Sequence, residues 1–189
     1  MKDLLSSPTA LLLLIGLVFV TSAVALFYFL RNRSNSYATP LERATFGTLH
    51  TVALASPSLR EGLSPSSASF ALPYLRQLLD TCALTMTDSR GNTLAWDGGA
   101  DQHEPDVRSL ADQVISTGRQ QMLSHSAIVC ERGDCPVRGI VVVPLESDGS
   151  IIGTLGAVTT STAGPVILRA TAEVARYVSS QLELAELED

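Results

Sequence analysis

The stretch Cys130–Thr160 reads CERGDCPVRGIVVVPLESDGSIIGTLGAVTT and carries the strongest strand pattern in the sequence. Two apolar runs, 139–145 and 150–159, are joined by Asp148-Gly149, the dipeptide most typical of a tight turn between antiparallel strands. Pro144 has no N–H to donate to a neighbouring strand, so we expect it at a sheet edge or at a bulge. The stretch therefore predicts a β-hairpin within an antiparallel sheet.

Outward from the hairpin, further segments show the spacing of helices and strands. We expect helices at 41–55, from Pro65 onward, at 105–117 and at 166–188. We expect the other strands at 82–87, 93–96 and 127–129. Pro73 inside the second helix implies a kink or a late start. The order predicts an α+β fold with an antiparallel sheet of about five strands and helices on at least one face.

Composition limits the classes of function. A chain of 189 residues suits one soluble domain after a hydrophobic N-terminus. With a net charge of −6 and only 13 Lys and Arg residues, the chain lacks the clustered positive charge that nucleic-acid binding needs. Three cysteines, Cys82, Cys130 and Cys135, are too few for a disulfide framework, so a hydrophobic core must stabilise the fold.

The N-terminal region predicts a membrane anchor. After a short tail at 1–7, residues 8–30 carry no charged side chain and are long enough to cross a lipid bilayer as one helix. Arg31 and Arg33 begin a polar linker at 31–40 and favour a cytoplasmic location for the domain after it, in a single-pass protein of the plasma membrane. The alternative is a cleaved signal peptide with its site near Ala23-Val24-Ala25, which would make the rest an exported domain with a Cys130–Cys135 disulfide.

The C-terminal segment 163–189 predicts an amphipathic signalling helix. Its apolar positions include Leu168, Ala172, Ala175, Val178 and Leu182, with acidic residues outside this seam. We expect this helix to support a homodimer or to continue into a further segment. The alternative for its first half is simple packing against the sheet.

The cysteine-rich loop offers a candidate site. His125, Cys130 and Cys135 follow one another with four residues between each pair, and imidazole and thiolate are ordinary ligands of zinc or iron. Cys82 or His103 would be available as a fourth ligand. The same two loop cysteines could instead form a redox-active disulfide, or pack without chemistry. No catalytic triad and no phosphate-binding loop is present in the sequence.

The closing hairpin carries a family resemblance. Val143-Pro-Leu145, followed by Asp148-Gly149-Ser-Ile-Ile-Gly153-Thr-Leu155, resembles the last hairpin of GAF domains, small sensory modules related to PAS domains. The resemblance implies a GAF-like domain at 41–162. Because GAF domains bind small molecules between the sheet and its covering loops, it also implies that Trp96 could line a ligand pocket. A lone tryptophan is otherwise an ordinary core residue.

A wider set of short sequences resembles the input region of LytS-type sensor histidine kinases of the actinobacterial style. The matching pieces are Thr48-Leu-His50, Leu59–Leu63, Leu94–Gly98, Cys130 with Asp134–Arg138, and Leu182–Leu187. The resemblance implies a sensor module of a two-component system, with a kinase region or response regulator as an indirect partner. Neither a phosphoacceptor helix nor a nucleotide-binding loop occurs in this sequence, so we expect a kinase fragment or a version that stops after its sensor. The enzyme alternative is a GAF-fold methionine sulfoxide reductase that uses the cysteines.

Overall fold

A computed structural model describes residues 20–22, 24, 40–130 and 134–188. The chain divides into two compact units, Met1–Gly47 and Thr48–Asp189, and the sheet belongs to the second. The expected transmembrane segment 8–30 lies outside the described residues, apart from 20–22 and 24, which are helical. Within the described ranges, no helix combines the length and the apolar character needed to cross a membrane.

Helices and strands follow one another in the order that the sequence predicts. The helices are α1 (Pro40–Leu59), α2 (Pro65–Leu79), α3 (Glu104–Thr117) and α4 (Pro165–Glu188). The strands are β1 (Ala83–Asp88), β2 (Thr93–Gly98), β3 (Gln121–Ser124), β4 (Gly139–Ser147) and β5 (Ser150–Thr159). Short 3₁₀ turns at Asp101–His103 and His125–Ala127 precede α3 and follow β3.

The strands form one antiparallel sheet in the order β2-β1-β5-β4-β3. The β4–β5 hairpin closes at Ser147 and Ser150 through Asp148 and Gly149, whose φ angles of 49° and 76° are both positive. Two consecutive positive φ angles match the right-handed twist of the flanking strands. The predicted α+β fold with a five-stranded antiparallel sheet is therefore confirmed, and β5 lies at its centre.

Two details of the sequence prediction need correction. The third strand is not at 127–129 but at Gln121–Ser124, and His125–Ala127 is a 3₁₀ turn. Helix α2 does not start late, because Ser64 and Ser67 form a reciprocal capping box and the helix begins at Pro65, with Pro73 inside it.

Pro144, which has no backbone N–H to donate, lies on a part of β4 that forms an edge of the sheet. The β3–β4 pairing ends at Gln121 opposite Val142, so from residue 143 onward the outer side of β4 has no β3 partner. Pro144 pairs with Thr154 of β5 on the inner side, and a register shift occurs between Leu145 and Glu146. The expectation of an edge position is confirmed.

The sheet separates two hydrophobic cores. Alternate residues of β4 point to opposite faces, with Val141 and Val143 on one side and Ile140 and Val142 on the other. We call the first core the three-helix core, because side chains of α1, α2 and α4 are buried in it. We call the second the α3 core, because α3 and the β3–β4 connection cover it. Helices therefore lie on both faces of the sheet.

Helix α3 packs very closely against the centre of the sheet. Its buried residues are Val107, Leu110, Ala111 and Val114. A Cβ atom placed on Gly156 of β5 would lie 2.8 Å from Val107 Cγ1 and 2.9 Å from Thr85 Cγ2. Gly156 is therefore required for the close approach of α3, and this approach fixes the start of the helix over the sheet.

Candidate functional site

The candidate site lies beside the α3 core, where the turn before α3 meets the β3–β4 connection. The chain leaves β2, reverses at Ala100 with a left-handed φ of 61°, and forms the 3₁₀ turn Asp101–His103. His103 is the residue that precedes α3, and its side chain is only 1% exposed. The fold thus buries a histidine at the start of a helix, beside a loop that carries two cysteines.

His103 contacts a carboxylate with one ring nitrogen and a thiol with the other. Its Nδ1 lies 2.9 Å from Asp106 Oδ2, one turn further along the chain. Its Nε2 lies 3.1 Å from Cys135 Sγ. The nearest ligand atoms of His103, Cys130 and Cys135 all lie within 4.8 Å of one another. One imidazole and two thiols therefore converge at a single point.

The contacts change the acidity of these groups. The hydrogen bond with His103 lowers the pKa of the Cys135 thiol to about 7, and burial, which opposes this shift, is outweighed. The Val137 backbone N–H and a hydrogen bond with Cys130 lower this pKa further. Burial disfavours the charged form of His103, but its hydrogen bonds with Asp106 and Cys135 prevail and raise its pKa above 6.5. The arrangement favours a thiolate at Cys135 near neutral pH.

The structure groups the cysteines with a different histidine from the one that the spacing suggested. His125 is exposed, and its Nε2 lies 3.0 Å from an Arg138 guanidinium nitrogen rather than in the cluster. Cys130 and Cys135 are both half-buried free thiols. Among the described residues, the group suited to a metal ion is His103, Cys130 and Cys135.

Cys82 lies elsewhere. Its thiol donates a hydrogen bond to the carbonyl oxygen of Val158, at 3.0 Å, and burial raises its pKa above 9.0. It is not a member of the cluster of His103, Cys130 and Cys135. A thiol held in its protonated form is a poor nucleophile and a poor ligand.

Trp96 borders the α3 core without being fully buried. Its ring packs there with Cys135 and Ile128 among the partly buried residues, and its indole N–H donates to the Gly99 carbonyl oxygen at 3.2 Å. The side chain thus lies on the same face of the sheet as the cysteine cluster. A role of Trp96 in lining a ligand pocket stays a prediction.

Spacing along the loop drew attention to the cysteines but not to Asp106. The pattern that indicates Asp106 is its position three residues after His103, at the start of a helix. Residues at i and i+3 share one helical face, so a carboxylate there can orient an imidazole. The sequence offers His103 only as a possible fourth ligand, because it lies 27 positions before Cys130.

A second concave surface lies on the opposite face. A groove of about 460 Å³ runs between β4 and α4, and its walls include Pro144, Glu146, Arg176 and Ser179. The groove is polar at its rim, where the Glu146 backbone N–H donates to Ser179 Oγ at 2.9 Å. It holds no cluster of nucleophilic or metal-binding side chains among the residues described.

The sequence from α2 to α4 matches a known domain family. The family model described as GAF domain matches residues 71–186. This chain belongs to the GAF domain family. The match begins within α2 and ends within α4, and it confirms the resemblance that the closing hairpin indicated.

Curated relatives of this GAF domain are LytS sensor proteins. The Sensor protein LytS of Bacillus subtilis is 33% identical over 138 residues, which is 70% of this chain and 23% of the relative. The Sensor histidine kinase/phosphatase LytS of Staphylococcus aureus is 34% identical over 139 residues, 70% of this chain and 24% of the relative. The LytS-type resemblance is confirmed, and the chain spans about a quarter of the length of these relatives.

Solved structures share the fold of the GAF domain. A free methionine-R-sulfoxide reductase from Neisseria meningitidis in complex with its substrate superimposes with a TM-score of 0.54 at 14% identity, covering 81% of this chain and 98% of that one. The phycoerythrobilin-bound GAF domain of a cyanobacterial phytochrome gives a TM-score of 0.51 at 13% identity, covering 75% and 96%. At these identities the likeness establishes the fold alone.

Proposed function

We propose that this GAF domain is the cytoplasmic sensor module of a membrane-anchored two-component sensor histidine kinase. The observation that carries the proposal is the identity of 33–34% with two LytS sensor proteins over about 70% of the chain. The acidic chain, with a net charge of −6, also suits a signalling module better than a nucleic-acid binder.

Helix α4 is the element suited to carry a signal out of the domain. It buries Val174, Val178 and Leu182 in the three-helix core, so it is fixed to the face of the sheet opposite the cysteine cluster. Tyr177 donates a hydrogen bond to the Val52 carbonyl oxygen of α1 at 2.9 Å. A displacement of the sheet would therefore reach α4 and α1 together.

The proposal includes a membrane anchor and a dimer. Residues 8–30 would cross the lipid bilayer once, with Arg31 and Arg33 on the cytoplasmic side. Leu184 of α4 is 39% exposed, and we propose that it contributes to a homodimer seam along the C-terminal helix. A kinase region would respond to this helix, and a response regulator would receive the phosphoryl group.

A chimaera tests the proposed output. Residues 48–188 of this chain would replace the matching segment of the Bacillus subtilis LytS protein, and autophosphorylation would be measured. A seven-residue insertion directly after Glu188 nearly preserves the helical phase, whereas a two-residue insertion rotates the next segment by about 200°. We expect the first insertion to retain kinase activity and the second to change it several-fold.

Equal activity in the two insertion variants would refute transmission through α4. The proposed membrane anchor is tested separately. Membranes are prepared from cells that express the full chain and are extracted with alkaline carbonate. We expect the protein to stay in the pellet, and its release into the supernatant would remove the anchor from the proposal.

A second candidate function is a methionine sulfoxide reductase, favoured by the two neighbouring thiols. The Cys135 thiolate would attack the sulfoxide sulfur, releasing methionine and leaving a sulfenic acid on the protein. Cys130 would then displace water to form a disulfide, and an added dithiol would reduce it. Methionine formation from free methionine sulfoxide, lost in Cys135→Ser but kept in Cys82→Ser, would establish this activity. No product above the level of the Cys135→Ser variant would exclude it.

A further inference from the structure

The cluster beside α3 has the composition of a metal site. His103, Cys130 and Cys135 each direct one ligand atom to a common point, with all three atoms within 4.8 Å of one another. Imidazole nitrogen and cysteine sulfur form the ligand set that zinc accepts most readily. All three residues lie outside the helices α1–α4 and the strands β1–β5, in the connections between them.

The distances suit a small ion. Tetrahedral zinc has Zn–S bonds of about 2.3 Å and Zn–N bonds of about 2.0 Å, which places neighbouring ligand atoms about 3.5–3.8 Å apart. The distance from His103 Nε2 to Cys135 Sγ is 3.1 Å, and the largest separation in the cluster is below 4.8 Å. Shifts of about 1 Å, within the reach of side-chain rotation in a loop, would complete the coordination.

His103 is oriented for coordination. Nδ1 lies 2.9 Å from Asp106 Oδ2, and in the neutral tautomer that donates this proton to the carboxylate the lone pair of Nε2 faces Cys135. Histidines that bind metal ions almost always donate their second ring N–H to such a carboxylate or carbonyl. The ring is only 1% exposed, so its orientation is fixed before any ion arrives.

A buried amide oxygen at the rim supplies an independent indication of a missing ligand. Gln102 Oε1 is buried, and among the described residues it has no hydrogen-bond partner. The amide nitrogen of the same side chain lies 4.0 Å from Cys135 Sγ, so the amide borders the cluster. A buried acceptor without a donor is unfavourable, because it has lost its hydrogen bonds with water. A water molecule bound to the ion would donate to this oxygen.

We propose that His103, Cys130 and Cys135 bind one zinc ion, with Asp106 as a positioning residue and a water molecule in the fourth coordination position. Three protein ligands and one exchangeable position are typical of zinc sites that interact with small molecules. The site would therefore accept a small anionic or thiol-containing ligand on the metal. The inference does not depend on the kinase role, since metal binding is measured on the chain itself.

The test uses the full chain in detergent, reduced with a phosphine and freed of metal by a chelator. Co²⁺ serves as the spectroscopic probe and Zn²⁺ competes with a chromophoric chelator for the affinity. We expect one ion per chain, with thiolate-to-Co²⁺ charge-transfer absorption and the visible bands of tetrahedral cobalt. Less than half an equivalent of Co²⁺ bound, or a spectrum without charge transfer, would overturn the proposal.

Variants assign the ligands. We expect Cys130→Ser, Cys135→Ser and His103→Asn each to weaken zinc binding by more than about 100-fold, since loss of a group that only hydrogen-bonds to a metal ligand already costs about 10- to 100-fold. His103→Asn keeps an N–H for Asp106 but removes the atom that faces Cys135. The matched controls are Cys82→Ser and His125→Ala, which remove a thiol and an imidazole outside the cluster. Loss of binding in His125→Ala together with wild-type affinity in His103→Asn would contradict the assignment.

Asp106→Asn tests positioning separately from ligation. We expect one ion still to bind, with an affinity lower by about 10- to 100-fold. Circular dichroism and thermal melting of each metal-free variant distinguish a lost ligand from a lost fold. Oxidation supplies a second measurement, because bound zinc should slow closure of a Cys130–Cys135 disulfide at least tenfold. Equal oxidation rates with and without equimolar zinc would show that the thiols hold no ion.

Discussion

Replacement of Gly156 by alanine should destabilise the domain through the contact between α3 and the sheet. The added Cβ would lie 2.8 Å from Val107 Cγ1 and 2.9 Å from Thr85 Cγ2. Carbon atoms pack best at about 3.5–4.0 Å, so each contact is short by more than about half an ångström. Both neighbours are β-branched and stiff, and Thr85 also donates its hydroxyl to the Ala95 carbonyl oxygen at 2.8 Å.

The expected size depends on two opposing effects. Overpacking in a core typically costs about 1–3 kcal/mol. Loss of glycine entropy in the unfolded chain returns about 0.4–1 kcal/mol. The overpacking cost is larger, so we expect the free energy of unfolding of Gly156→Ala to fall by about 1–2 kcal/mol. The matched control is Gly99→Ala, because a Cβ at Gly99 meets nothing within 4 Å.

Urea unfolding of the 48–189 unit, monitored by circular dichroism, measures the effect. We expect a lower midpoint with an unchanged slope for Gly156→Ala, and no change beyond about 0.5 kcal/mol for Gly99→Ala. The double variant Val107→Ala with Gly156→Ala should be less unstable than the sum of the single changes, because it removes one of the short contacts. Equal midpoints for Gly156→Ala and Gly99→Ala would refute this account of the packing.

Single residues of the core, the hairpin and the cysteine cluster give three more predictions. Leu155→Ala, at a side chain with 0% exposure in β5, should lower the free energy of unfolding by about 2–5 kcal/mol, and a loss below about 1 kcal/mol in urea titration would contradict its place in the core. Gly149→Ala, which adds no clash but must keep a φ of 76°, should cost about 1–2 kcal/mol, again by urea titration; a neutral result would show that the turn does not hold this conformation. In the metal-free protein, the alkylation rate of Cys135 should rise with pH through a midpoint of about 7, as the thiolate forms, whereas Cys82, with its raised pKa, should react only at higher pH. His103→Asn should move the Cys135 midpoint upward, and identical pH profiles for the two cysteines, read by mass spectrometry, would argue against the His103 contact.

Much of the fold could be predicted because its strongest signals are local. Asp148-Gly149 specifies a turn by itself, since both residues tolerate positive φ. The apolar run of β4 alternates between two covered faces, and the spacing of Val107, Leu110, Ala111 and Val114 marks one face of α3. Gly118 ends α3 with a left-handed φ of 68°, as glycine after a periodic segment predicts.

Strand β3 was misplaced because its sequence carries little local signal. Gln121, Met122, Leu123 and Ser124 mix polar and apolar residues, and Met122 is 42% exposed. The stretch Ala127-Ile-Val129 looks more strand-like, yet Val129 is 86% exposed and the segment turns away from the sheet. The position of β3 is determined by its pairing with Gly139–Val142 of β4. A short stretch of sequence does not reveal such pairing with a distant segment.

The sequence predicts the two cysteines of the site but not their histidine partner, for a related reason. Cys130 and Cys135 are five positions apart, so their spacing predicts a common site, and His125 is the histidine nearest to them in the chain. The sheet order places β3 and β4 on the same side of β5, and α3 crosses over them with His103 at its start. The topology therefore brings His103 to the cysteines, although His125 is nearer to them along the chain.

The outer edge of β4 has a consequence for how partners can bind the groove beside α4. Pro144 has no N–H, and two residues later the Glu146 N–H is already donated to Ser179 of α4. Because alternate residues of a strand direct their N–H groups to the same side, both outward donors along this edge are removed. Strand addition by a peptide, or by the sheet of a second copy of the chain, is therefore disfavoured along this part of β4. Recognition of an occupant of the groove would depend more on side chains in its walls, such as Arg176.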